Sequence, residues 1–157
     1  VAGGRLDVRL ARPAVTTAAP GGDDAGTDDV VRRVLGMQTW AVVGLRDNPA
    51  RAAHRVARFL QDKGRRIVPV HPMAQDVHGE TAYATLADIP FPVDVVDVFV
   101  NSTLAGDIAD QAVAVGARAV WFQLDVRDDA AAARVRAAGL EMVQDRCPVI
   151  EWRTAAP

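Results

Sequence analysis

Apolar residues in this chain collect in short unbroken runs, separated by segments in which they recur every three or four positions. Trp40-Ala41-Val42-Val43, Ile67-Val68-Pro69-Val70, the stretch VDVVDVFV at 93–100 and Ala119-Val120-Trp121-Phe122 are bounded by Gly, Pro or polar residues. Runs of this kind suit parallel strands covered by helices on both faces. A short extended piece at 81–83 and an edge strand at 140–143 complete the predicted sheet. Between the runs, helical spacing puts Val30, Val31, Val34 and Leu35 on one face after a cap at Thr27 or Asp28. It puts Ala52, Val56, Phe59 and Leu60 on another, in a helix starting at Pro49 and stopping at Gly64, and Leu104, Ile108, Ala112 and Val115 on a third, capped by Ser102 or Thr103. Thr85 opens a brief helical turn closed by Pro90 and Pro92, and Asp128 or Asp129 opens an alanine-rich helix ending at Gly139. Strands alternating with helices select an α/β class with a doubly wound parallel sheet and right-handed crossovers.

The turn after the first run is the most informative stretch. Gly44 lets the chain reverse, Asp47 or Asn48 can cap the next helix, and Pro49 suits its first position, so free N–H groups face the strand ends and attract phosphate. A dinucleotide site would need two further glycines here and an acid ending the second strand. The chain instead has Leu45-Arg46-Asp47-Asn48-Pro49, and the second strand ends in His71-Pro72. A nicotinamide cofactor is thereby disfavoured, while Arg46, Arg51 and Arg55 can reach a different phosphorylated ligand or form a solvated helix face. Asp94 and Asp97 are expected at the start of their strand or facing a polar pocket, because a buried unpaired carboxylate is costly.

Composition narrows the partners. A chain of 157 residues with a net charge of −2 and pI near 5.9 has no overall attraction for nucleic acid or an anionic membrane. No apolar run approaches the length of a membrane span, so a soluble protein is expected. Cys147 is the only cysteine, which rules out an internal disulfide and suits a reducing, cytoplasmic compartment. His54, His71 and His78 lack metal-ligand spacing, and no structural metal is expected. Residues 1–26 show no sustained period and are expected to form a flexible arm before one domain at 27–157; Asp7, Arg9 and Arg12 interrupt any secretory apolar core.

The segments AVVGL at 41–45, IVPVHP at 67–72, HGETAYATLADIP at 78–90, VDVVDVFVNS at 93–102, AVWFQL at 119–124 and DRCPVIEW at 145–152 occur together and in this order. With them the chain resembles the stand-alone coenzyme A-binding proteins whose Rossmann-like domain also forms the amino-terminal part of the succinyl-CoA synthetase alpha subunit. The resemblance covers roughly residues 27–153. It implies a Rossmann-like sheet of six strands in the order 3-2-1-4-5-6. It also implies a bound coenzyme A (CoA) or acyl-CoA at the strand C-terminal ends, with no chemistry of the domain's own. Phosphates would lie near Gly44, Leu45, Arg46, Asn48 and Arg51. The nucleotide would pass Val70, His71 and Pro72, and pantetheine would run along Val100, Asn101 and Ser102, with Cys147 near its thiol end. Relatives commonly carry a serine and an aromatic at the positions of Ala53 and His54, arginine at Val100, an acid near Thr103 and glycine at Asp125.

Three residue groups invite other readings. Cys147 beside Arg146 resembles an activated thiol, yet no histidine is assigned to it and a free cysteine is more often a buried small hydrophobe. His71 can touch phosphate or adenine, or be a partly exposed loop histidine. Lys63-Gly64-Arg65-Arg66 falls at the opposite end of the sheet and reads as a solvated turn. The alternatives to a CoA-binding module are a nucleotide-dependent oxidoreductase or acyl-transfer subunit and a regulatory domain that has lost its ligand.

Overall fold

The computed structural model describes residues 22–157, with side chains from Gly26 onward. Five parallel strands, β1 (Thr39–Val43), β2 (Arg66–Val70), β3 (Val95–Val98), β4 (Ala119–Phe122) and β5 (Glu141–Val143), form one sheet in the order β2-β1-β3-β4-β5. Helices α1 (Gly22–Leu35), α2 (Ala52–Asp62) and α5 (Pro148–Thr154) cover one face, and α3 (Ser102–Ala114) and α4 (Asp129–Ala137) the other. The alternation of β geometry divides each strand between the two cores: Trp40, Val42 and Trp121 face α1, α2 and α5, whereas Ala41, Val43, Val120 and Phe122 face α3 and α4.

The expected sixth strand is reduced to one residue. Tyr83 makes a single parallel bridge to Val70, donating its N–H to the Pro69 carbonyl at 3.0 Å and accepting from His71 N–H at 3.1 Å. The chain is extended only briefly there, because residues 77 and 80 are tied to each other before it and Thr85 turns into a 3-10 helix (Leu86–Asp88) after it. Tyr83 nonetheless occupies the place the order 3-2-1-4-5-6 assigns to its outermost strand. Pro69 fits this edge, since its missing N–H falls on the side of β2 away from β1.

Three helix boundaries differ from expectation. α1 starts at Gly22 rather than beside Thr27; the remainder of the expected arm lies outside the described residues. α2 begins at Ala52, after a turn in which the Asn48 side chain accepts from Ala50 N–H at 3.0 Å and Arg51 N–H donates to the Asn48 carbonyl at 3.0 Å. This turn occupies the positions where the sequence predicts the first helical residues, and it rotates the buried face of α2 to Ala53, Val56, Ala57 and Leu60. α3 is capped at Asn101 and buries Ala105, Ala109 and Ala112, not Leu104 and Val115. The aliphatic spacing marks a helix stripe, but the small-residue stripe is the one that lies on the sheet.

α5 was not expected from the sequence. Trp152 on it packs edge-on against Phe59 at 5.9 Å, and the Arg65 guanidinium lies 5.1 Å from the Trp152 ring. Arg65 also donates to the Leu35 carbonyl through Nε at 2.9 Å and Nη2 at 2.8 Å. The basic turn is therefore partly structural: a cation closes the carbonyl end of α1 where orphan acceptors gather.

Candidate nucleotide site at the strand ends

Gly44 ends β1 with φ of +94°, a conformation side chains rarely adopt. A Cβ there would stand 3.3 Å from the Phe99 Cβ, so the turn also needs the missing side chain for its approach to the β3 end. The next residue, Leu45, is fully buried in the core and anchors the loop; only its backbone can serve a ligand. Arg46 then points out, and Arg51 occupies the N-cap of α2 without a side-chain cap bond. Gly44, Arg46, Arg51, Ala52, Ala53 and Phe99 line a pocket of about 240 Å³. Two guanidinium groups over an uncapped helix start give it a positive character. Arg55 turns back onto the same loop, with Nη1 3.4 Å from the Ala50 carbonyl.

On the other side of Gly44 opens a second, apolar cleft of about 450 Å³. Val43, Val70, His71, Pro72 and Val100 come from the strand ends, Ala84, Thr85 and Leu86 from the 3-10 turn, and Leu104, Asp107, Ile108 and Gln111 from α3. Leu104 remains 52% exposed because it faces this cleft. At the rim, the His71 Nδ1 accepts from Met73 N–H at 3.1 Å. Burial, and then the charge of Arg46, hold the His71 imidazole below its ordinary value of 6.5.

Gly44, Arg46, Arg51, Val70, His71, Pro72 and Val100, seven of the expected residues, thus line two cavities that share Gly44. Five other expected residues do not line them. Asn48 builds the turn, and Leu45 is core. Asn101 stands at the N-cap position of α3 without a side-chain cap bond and accepts from the Thr103 hydroxyl, while the Ser102 hydroxyl donates to the Asp125 carbonyl at 3.3 Å and accepts from Arg127 N–H at 2.9 Å. Cys147 also lies outside both cavities: it is the N-cap of α5 and packs against the core under α1 and α2. Asp125 has φ of +67°, a backbone conformation that favours glycine, and its N–H donates to Asp145 Oδ1 at 2.7 Å.

Phe99, Thr85, Leu86, Leu104, Asp107, Ile108 and Gln111 also line the cavities without being marked as site residues by the sequence pattern. One signal was available, the Ala105, Ala109, Ala112 stripe, which suits close helix–sheet packing and frees the Leu104 and Ile108 stripe for the cleft. A larger cavity of about 710 Å³ borders β5 and involves none of the expected residues. Among the described residues, no group of three or more His, Cys, Asp or Glu side chains is arranged to hold a metal ion, and no helix is long and apolar enough to cross a membrane.

Comparison with known proteins identifies the family and the fold. Residues 38–153 match the family described as CoA binding domain. The uncharacterized protein YneT of Bacillus subtilis (strain 168) is 33% identical over 107 residues, covering 68% of this chain and 79% of the relative. A hypothetical protein from Pyrococcus horikoshii OT3 superposes with a TM-score of 0.78 at 33% identity, over 83% of this chain and 93% of its own. The dinucleotide forming acetyl-coenzyme A synthetase 1 of Ca. Korarchaeum cryptofilum shares the fold at 20% identity and a TM-score of 0.62, over 71% of this chain and 27% of its own.

Proposed function

We propose that this chain, which belongs to the CoA binding domain family, binds coenzyme A or an acyl-CoA at the strand C-terminal ends in the cytoplasm and performs no chemistry of its own. The observation that carries the reading is the position of Gly44, which lines both the arginine pocket and the apolar cleft. A ligand crossing Gly44 would set a diphosphate beside Arg46 and Arg51 and place an apolar, partly aromatic portion against Val43, Val70, Val100 and Ile108. CoA joins groups of these two kinds in one molecule. The hydroxyls near the strand ends are engaged elsewhere: Thr85 donates to Asp88 at 2.9 Å, and Ser102 to the Asp125 carbonyl. That supports binding over catalysis.

A second reading has its own observation. Ala53 lines the arginine pocket and Val100 the cleft, at positions where the resemblance implies serine and arginine, so the site offers fewer polar partners to phosphate and suits a regulatory domain without CoA. Thermal unfolding with CoA, dephospho-CoA, ADP and NAD in parallel separates the readings. Ligand at a hundredfold its Kd adds about 2.7 kcal/mol. A rise in Tm with CoA and none with NAD is expected; no rise with CoA at millimolar concentration overturns the CoA reading.

A further inference from the structure

His71 lines the apolar cleft close enough to Arg46 for that charge to act on its ring. It follows β2 directly, while Arg46 lines the adjoining pocket. The ring is held in one tautomer. Met73 N–H donates to Nδ1, so in the neutral imidazole the hydrogen sits on Nε2, which takes no partner among the described residues. Arg46 and Arg51 from the adjoining pocket and, across the cleft on α3, Asp107 are the charged groups lining this region. The 3-10 turn contributes only Ala84, Thr85 and Leu86.

A neutral Nε2–H beside a guanidinium is a donor for an anion. It also gains a charge if the anion raises the imidazole pKa on binding. We propose, resting on the CoA reading above, that His71 is the residue by which the site distinguishes a ligand bearing a terminal phosphate monoester from the same ligand without it, and that capture of that phosphate is linked to proton uptake by the ring. A phosphate monoester is close to a dianion at neutral pH, whereas the diphosphate bridge of the ligand carries no comparable second titration. The free imidazole is neutral at pH 7, and the dianion pulls it toward imidazolium. The preference for the phosphate therefore strengthens as pH falls, until the phosphate itself takes up a proton near pH ~6.

Calorimetric titration of the full chain with CoA and with dephospho-CoA, at pH 6.5 and pH 8, tests this in wild type, His71→Ala and His71→Gln. Expected in the wild type is a CoA preference of about tenfold at pH 8, larger at pH 6.5. His71→Ala should lose most of that preference, weakening CoA binding more than dephospho-CoA binding. His71→Gln, which keeps an N–H donor and cannot titrate, should retain part of the preference and lose its pH dependence. A ratio unaltered in both variants overturns the inference while leaving CoA binding intact, and wild type that binds neither ligand overturns the inference together with the CoA reading.

Discussion

Gln123 donates from Nε2 to Asp97 Oδ1 at 2.6 Å, and the second carboxyl oxygen of Asp97 is buried without a partner. Asp97 lies on the central strand, in register with Val42 and Trp121. Burial pushes its carboxyl from an ordinary value of 3.8 up to about 8, against the smaller opposing effect of the Gln123 hydrogen bond. The unfolded chain releases this proton near pH 4 and the folded chain near pH 8, so stability is fully present below the lower value and lost as pH rises through the upper one. The slope is about 1.4 kcal/mol per pH unit at most. Asp97→Asn should remove this loss, leaving the variant comparable to wild type at pH 4 and more stable at pH 8.5, by urea unfolding across that range. Parallel pH curves for the two proteins would contradict it.

Gly44→Ala confronts a positive φ and a 3.3 Å contact with the Phe99 Cβ at once. A loss of about 1–3 kcal/mol is expected from the backbone strain alone. CoA affinity should fall along with Tm, because the turn cannot relax without moving Arg46. A stable variant with unchanged CoA affinity would place the ligand away from this turn.

Arg51 and Arg66 carry the same charge at opposite ends of the sheet. Arg66 lies over the Phe91 ring at 3.8 Å, whereas Arg51 lines the pocket beside Gly44. Arg51→Ala should weaken CoA binding by roughly tenfold, the scale of one charge-assisted hydrogen bond. Arg66→Ala should lower thermal stability with little change in affinity. Equal affinities for the two variants, measured by calorimetry, would mean that the phosphate pocket is misplaced.

Leu104 is apolar and half-exposed because its stripe of α3 faces the cleft. Leu104→Asp should therefore cost under about 1 kcal/mol of stability, as at a surface position, yet weaken CoA binding severalfold by bringing a second carboxylate beside Asp107. A core substitution such as Ala109→Asp should prevent folding. If Leu104→Asp proved as damaging to stability as Ala109→Asp, Leu104 would belong to the core.

Most of the fold was legible because its signals are local. Each principal strand is an apolar run ending in a turn residue, and Gly64 stops α2 at the expected point with φ of +80°. The extent of elements was less legible, since it depends on partners distant in sequence. Tyr83 has the makings of a strand but finds only Pro69 and His71 to bond, and α5 is fixed by Phe59 and Arg65, far away in the chain. In the site, the residues on the strand ends could be found because topology places them there. Leu104, Asp107 and Gln111 were less legible, since two stripes of α3 both suit burial and the alanine spacing was the one hint of which meets the sheet.

Ala105, Ala109 and Ala112 are the side of α3 that meets the sheet. An alanine side chain has no rotamer to change, so this contact has no soft degree of freedom at the side-chain level. The neighbouring stripe of the same helix is a wall of the apolar cleft, and its distance from Val43 and Val70 is thereby set by three methyl groups outside the cleft lining. The cleft behaves as a slot of set gauge: what fits is decided by its aperture, and a single added methyl at Ala109 would regauge it without altering any residue on its surface.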